Sequence, residues 1–158
     1  MFEVTRLHKA AALPATFTSK FEYSVDIDEH GQVAQVAKRA ARSQCHIYIL
    51  TKDGQYYGFI GISLAVFAQL PALVVDYLFT SAQFRGTVFD ELGGGKIADH
   101  LLAFAVQSAV TINDIAPVRF VALLPATEKL DAYYRRRGFS RLDSTDWVFM
   151  KVPQVRQR

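Results

Sequence analysis

The sequence predicts a mixed α/β domain: a largely antiparallel sheet that contains one strand–helix–strand unit. Three observations predict it. Apolar runs at 46–52, 55–64 and 72–80, rich in Ile, Val, Tyr and Phe, follow one another with no helical periodicity between them, which implies an antiparallel meander. Ile97, Ala98, Leu101, Leu102, Ala105 and Ala109 then repeat at three- or four-residue spacing and mark a helix over 96–111. A short apolar run, VRFVALL at 118–124, comes after that helix. Strand, helix, strand requires a parallel pairing with a right-handed crossover.

The remaining elements follow in order. Residues 2–7 alternate imperfectly between apolar and polar and read as a strand. Over 8–31 the pattern is poor; Pro14 and the run Thr16-Phe17-Thr18-Ser19 predict a loop or short helix, the kind of segment that often binds substrate. Val33, Val36, Ala37, Ala40 and Ala41 predict a helix over 31–44, with Lys38, Arg39 and Arg42 on its solvated face. Asp53-Gly54 joins the first two apolar runs as a tight hairpin, and Pro71 separates the second from the third. Residues 113–117 break the long helix. Pro125 ends the strand at 118–124, Thr127 caps a helix over 128–137, and Gly138 closes it. Residues 139–142 and 147–152 form a closing pair of strands. The expected organisation is one domain over 1–152 and a polar tail at 153–158.

Composition narrows the function. A chain of 158 residues, 51% hydrophobic and 21% charged, buries a real core and is not disordered. A net charge of +3 favours an anionic ligand without marking a nucleic-acid binder. The one cysteine, Cys45, excludes an internal disulfide framework and fits a reducing compartment. Asp76 interrupts the most apolar stretch, no run spans a bilayer, and residues 1–17 lack the continuous apolar core of a secretory signal, so the expected location is cytoplasmic with no membrane partner. His8, His30, His46 and His100 show no metal-ligand spacing, and no metal is expected. Cys45 and His46 are adjacent at a strand start and point to opposite faces, which assigns them structural roles.

The chemistry concentrates in 72–106, where a strand feeds a loop containing Phe84-Arg85-Gly86 and Gly93-Gly94-Gly95-Lys96, and the loop opens a helix. Glycines permit close approach to backbone, and the first free amides of the helix point at the turn, so the arrangement holds an anionic group. Two segments resemble a known family. Val75-Asp76-Tyr77-Leu78-Phe79-Thr80-Ser81-Ala82-Gln83-Phe84-Arg85-Gly86 looks like the fourth strand and Arg-Gly loop of the GCN5-related N-acetyltransferases (the GNAT superfamily). Tyr133-Tyr134-Arg135-Arg136-Arg137-Gly138-Phe139 is similar to that family's helix ending in Tyr-x-x-x-Gly-Phe. With the hairpin, the resemblance covers roughly residues 46–152.

The resemblance implies a sheet whose parallel pair splays to form an acyl-CoA cleft, helices on both faces, and direct acetyl transfer from acetyl-CoA to a primary amine. It assigns the pantetheine arm to the backbone of Leu78, Phe79 and Thr80. Pyrophosphate contacts fall to Arg85, Gly86, Gly93, Gly94, Gly95, Lys96 and Ala98. Tyr134, with Tyr133 beside it as the competing choice, stands at the position of the tyrosine that protonates the departing thiolate. A neutral phenol suits that task. Asp76 falls where some members place a carboxylate base; the alternatives are a solvent-facing acid for Asp76 and a packed core aromatic for Tyr134. Two departures from the family pattern stand out. Residues 87–92, Thr-Val-Phe-Asp-Glu-Leu, interrupt the pyrophosphate loop with two acids, and Thr127 replaces an expected asparagine. Arg135-Arg136-Arg137 with Arg141 read as a solvated helix end or as an anchor for the 3′-phosphate of CoA or for RNA. The expected acceptor is a small-molecule or peptide amine rather than tRNA, and exposed aromatics late in the chain allow a homodimer. Two alternatives follow: a toxin-type member acetylating aminoacyl-tRNA, and a non-catalytic binding module whose insert has re-purposed the cleft.

Overall fold

The hairpin expected at Asp53-Gly54 forms as read, with both turn residues at positive φ (52° and 78°) joining β2 (His46–Lys52) to β3 (Gln55–Phe67). The computed structural model describes residues 1–8, 14–25 and 28–154, so 155–158 of the expected tail and parts of the poorly patterned 8–31 region lie outside the described residues. The chain divides into two compact units, Met1–Ile62 with Tyr77–Ala103 and Ser63–Asp76 with Phe104–Arg158. The strand order is β1-β2-β3-β4-β5-β7-β6: a mostly antiparallel seven-stranded sheet with one parallel pair, as the sequence predicts.

In the first unit, β1 (Glu3–Arg6) pairs antiparallel with β2, placing Val4 opposite Leu50. Strands β2 and β3 pair with Tyr48 opposite Ile60 and a bulge between Leu50 and Thr51. Two helices, α1 (Pro14–Thr18) and α2 (Glu29–Ala41), pack together beside them. Helix α2 starts two residues earlier than its apolar stripe indicates, because Asp28 caps it: the carboxylate accepts from the Gly31 amide at 3.1 Å. Phe17, Phe21, Val33, Val36, Ala37, Ile47, Ile49, Phe59 and Phe79 form one buried cluster. Fully burying aromatics such as Phe17 and Phe59 contributes about 2–3 kcal/mol each, so this cluster fixes how α1 and α2 sit against β2 and β3.

In the second unit, the first part of β4 (Leu70–Thr80, whose last four residues belong to the first unit) pairs in parallel with β5 (Phe120–Leu123) from Ala72↔Phe120 to Val75↔Leu123. Strand β7 (Val148–Lys151) pairs antiparallel with β5 and with β6 (Ser140–Arg141). The crossover is α3 (Ile97–Asn113), and α4 (Glu128–Arg135) packs on β7. Thr127 caps α4 as expected, its hydroxyl accepting from the Leu130 amide at 3.2 Å. Gly138 lies at φ 94° past the helix end.

One turn was not legible. Strands β3 and β4 meet at Ala68-Gln69, both left-handed (φ 49° and 65°), and Pro71 therefore sits inside β4 rather than between strands. A type I′ hairpin turn needs positive φ at both positions, and neither Ala nor Gln announces one. Strand β5 is also shorter than its apolar run, because the Asn113 side chain captures the Val118 amide at 3.0 Å. Among the described residues no helix is long and apolar enough to cross a membrane.

Candidate functional site

The end of β4 is held by a knot of buried polar groups. Ser81, fully buried, accepts the Glu22 amide on its hydroxyl at 2.8 Å and donates that hydroxyl to Gln83 Oε1. The Ser81 amide donates to the Tyr57 carbonyl at 3.0 Å, and the Ala82 amide to the Glu22 carbonyl at 2.9 Å. Beyond Ser81 the chain makes a single tight turn, Ala82–Phe84, and reaches Arg85. The Arg85 guanidinium grips the Glu29 carboxylate in bidentate fashion, at 2.8 and 2.9 Å, and donates to the Thr80 carbonyl at 3.0 Å. It also lies 5.3 Å from the Phe79 ring. Glu29 is buried at the N-terminus of α2 and accepts the Ser24 amide at 2.8 Å. A buried carboxylate persists only with such partners. Its charge reaches two neighbouring phenols: Tyr23 and Tyr77 are both pushed up to about 12, chiefly by burial and further by Glu29. The sequence reading gave Arg85 to a phosphate; in the fold its guanidinium serves Glu29.

Beside this corner, Gly58 of β3 makes the close packing possible. A Cβ there would lie 2.5 Å from the Phe79 carbonyl oxygen and 3.0 Å from Ile97 Cγ2. Leu78 and Thr80 are half-buried and Phe79 is buried in the core, all three past the last β4 residue that β5 pairs.

The acidic insert folds into a self-contained loop. Phe89 packs edge-on against Phe2 at 5.4 Å and Tyr57 at 6.0 Å, and exchanges backbone hydrogen bonds with Gly94 and Gly95. Glu91 forms an ion pair with Lys52 of β2, which lowers the carboxyl pKa and raises that of the amine. Gly93 and Gly94 follow at φ 69° and 80°, consecutive left-handed positions that only glycine adopts without strain. The amides of Gly93, Gly94 and Gly95 donate to Asp90, Phe89 and Leu92 carbonyls inside the loop, and the Lys96 amide donates to Asp99 at 3.1 Å. The glycine run thus closes a turn, and what faces solvent at the mouth of α3 is the exposed Lys96 with Gly93 and Gly94. Space around both glycines is open, with nothing within 4 Å of a Cβ built there.

The second unit carries the other predicted residues. Tyr134 of α4 is buried between Tyr133 (ring centroids 5.2 Å) and Phe139 (5.9 Å). Desolvation pushes its phenol up to about 12 against a smaller opposing pull from Arg137, so it stays protonated through the neutral range. Tyr133 differs: the Arg137 guanidinium lies 3.4 Å from its ring centroid. Asp76 is half-buried on β4, one residue past the paired segment, with Oδ2 shielded from solvent. Thr127, standing for the expected asparagine, lines a cavity of about 350 Å³ together with Glu128, Asp131 and Arg141. Asp131 there binds Arg135 at 3.0 Å and approaches Arg141 at 3.8 Å, so part of the late arginine cluster is spent on an intramolecular network.

No family model matches the chain, and no curated protein does. Solved structures do. A tyrosine-to-phenylalanine mutant of the toxin AtaT, bound to the C-terminus of the antitoxin AtaR and acetyl-CoA, superposes with a TM-score of 0.77 at 14% identity over 96% of this chain and 94% of that one. The chain has the GNAT fold. Within that fold, AtaT complexed with acetyl-methionyl-tRNAfMet matches with a TM-score of 0.72 at 13% identity, covering 96% of this chain and 95% of that one. The KacTA–DNA complex matches with a TM-score of 0.68 at 16% identity, covering 95% and 94%.

Sequence reading missed three residues of the site. Gly58 carried a usable signal, a lone glycine inside a strand, which marks close backbone approach. Glu29 and Ser81 carried none, because their partners lie 56 and 59 residues away.

Proposed function

We propose that the chain is an acetyl-CoA-dependent N-acetyltransferase whose acceptor is the α-amino group of an aminoacyl-tRNA. The observation that carries this is the likeness, over nearly the whole of both chains, to a toxin seen with acetyl-CoA and with an acetylated aminoacyl-tRNA. That likeness moves tRNA from a disfavoured partner to the preferred one. The residues present fit acetyl-CoA. The open glycine backbone and exposed Lys96 at the mouth of α3, with the amide of Ala98, suit a pyrophosphate. The backbone of Leu78, Phe79 and Thr80 runs on past the β5-paired segment and suits an extended pantetheine arm.

Bound acetyl-CoA supplies the thioester carbonyl. Transfer forms a C–N bond and breaks the C–S bond, which asks the chain to take two protons from the ammonium nitrogen, one before attack and one as the amide forms, and to give one to the thiolate, the other leaving to solvent. Tyr134 suits the second task, since a phenol held up to about 12 remains a donor at neutral pH. Asp76 is assigned the first: a carboxylate shielded on one oxygen is the acid nearest the end of the parallel pair along β4. The test incubates the protein with acetyl-CoA and charged or uncharged tRNA, then follows acetyl transfer. Only charged tRNA is acetylated under this reading, and Tyr134→Phe lowers kcat by about 10²–10⁴-fold with acetyl-CoA affinity unchanged. Equal turnover by the mutant removes Tyr134 from the mechanism.

A further inference from the structure

Arg85 and Glu29 belong to a loop and a helix that the sequence gives no reason to connect, yet they form the most buried ion pair among those described, with side chains 36% and 11% exposed. Each end of the pair is tied further. Arg85 donates to the carbonyl of Thr80, the last residue of β4, and lies over Phe79. Glu29 accepts the Ser24 amide, and that segment is stitched to the same corner through Ser81 and Glu22 at 2.8 Å and Ala82 and Glu22 at 2.9 Å. The guanidinium therefore reaches inward, to a carboxylate and a strand carbonyl, while Lys96 on the far side of the loop faces solvent.

We propose that Arg85 and Glu29 are a positioning pair: together they fix the corner at which β4 passes into the glycine loop, and Arg85 acts on acetyl transfer through Glu29 and Thr80 rather than by contacting the pyrophosphate. The proposal rests on the acetyltransferase reading above. A bidentate fork holding a planar carboxylate restricts both rotation and translation, which a single point charge does not. If the corner shifts, Leu78, Phe79 and Thr80 shift with it, and the reacting atoms lose alignment while the phosphate contacts at the mouth of α3 are retained. Misplacement of that kind is read in kcat rather than in cofactor affinity.

The experiment compares wild type, Glu29→Gln, Arg85→Gln, Arg85→Lys and the Glu29→Gln/Arg85→Gln double variant. Acetyl-CoA affinity is measured by calorimetry and kcat with charged tRNA, after thermal melting confirms that each variant is folded. Expected are kcat losses on the order of tenfold in either glutamine variant, no further loss in the double variant, partial recovery in Arg85→Lys, and acetyl-CoA affinity within twofold of wild type throughout. A tenfold loss of acetyl-CoA affinity in Arg85→Gln but not in Glu29→Gln overturns the proposal and gives the guanidinium to the pyrophosphate. Additive losses in the double variant overturn it as well. The calorimetric arm needs no acceptor, so it decides between the two roles even where charged tRNA proves to be the wrong substrate, which is a failure of the acceptor reading alone.

Discussion

The corner at Thr80–Arg85 and the loop at 87–95 are neighbours in sequence and opposites in construction. The corner is tied by two groups hidden from water, the Ser81 hydroxyl and the Glu29 carboxylate, and by a partly exposed guanidinium that grips the carboxylate at two points. The loop is tied by its own backbone, one aromatic anchor at Phe89 and a solvent-exposed pair, Lys52 with Glu91. Buried partners are costly to separate, because whichever remains is left uncompensated; exposed partners exchange one another for water and ions at little cost. The difference teaches that the corner is held by side chains whose separation is costly, while the loop is held by its own backbone hydrogen bonds and by an exposed pair that rearranges at little cost. The acids that the sequence placed awkwardly in the loop are thereby accounted for in part: Glu91 fastens the loop to β2.

The contrast is open to attack by mutation. The largest effect is expected from Glu29→Ala, which leaves Arg85 without its carboxylate and costs about 3 kcal/mol of stability, the low end for a broken buried pair because the guanidinium is partly solvated. Chemical denaturation checks it; a loss no larger than that of a surface mutation would erase the distinction drawn between corner and loop. Gly58→Ala comes next. Its methyl group meets the Phe79 carbonyl at 2.5 Å, and relieving that overlap costs about 1–3 kcal/mol. An unshifted denaturation midpoint would show that β3 and β4 are less tightly packed at the corner than a 2.5 Å approach implies.

High pH probes the same corner. Tyr23 and Tyr77 have folded pKa values raised from 10.0 to about 12. Their contribution to stability is therefore fully present below pH 10 and is lost as pH rises from 10 toward 12, because the unfolded chain releases these protons first. Tyrosinate absorbance in the folded protein should lag that of free tyrosine across this window. Ionisation of all seven tyrosines near pH 10 would contradict the burial described here. The smallest effect belongs to the loop: Glu91→Ala, or raised salt on the wild type, should leave the melting temperature in place. A marked drop would make the exposed pair a structural tie after all.

The fold was legible where local chemistry decides it. Asp53-Gly54 announces its turn, Thr127 its helix, and the stripe from Ile97 to Ala109 its crossover. It was not legible where the deciding partner is distant or the residue types are neutral, as at Ala68-Gln69, whose left-handed turn no side chain advertises. The same division runs through the candidate site. The family resemblance singles out Tyr134 and the glycine run, whereas the pairing of Arg85 depends on Glu29, a residue that by itself reads only as an acid complementing a helix dipole. Position in a motif singled out Arg85 and left its partner unread.

Titration of acetyl-CoA into the wild-type protein by calorimetry tests the central reading most directly, since it needs neither an acceptor nor a mutant. Saturable one-to-one binding in the micromolar range is the predicted result; absence of heat at high micromolar acetyl-CoA would contradict the acyltransferase assignment.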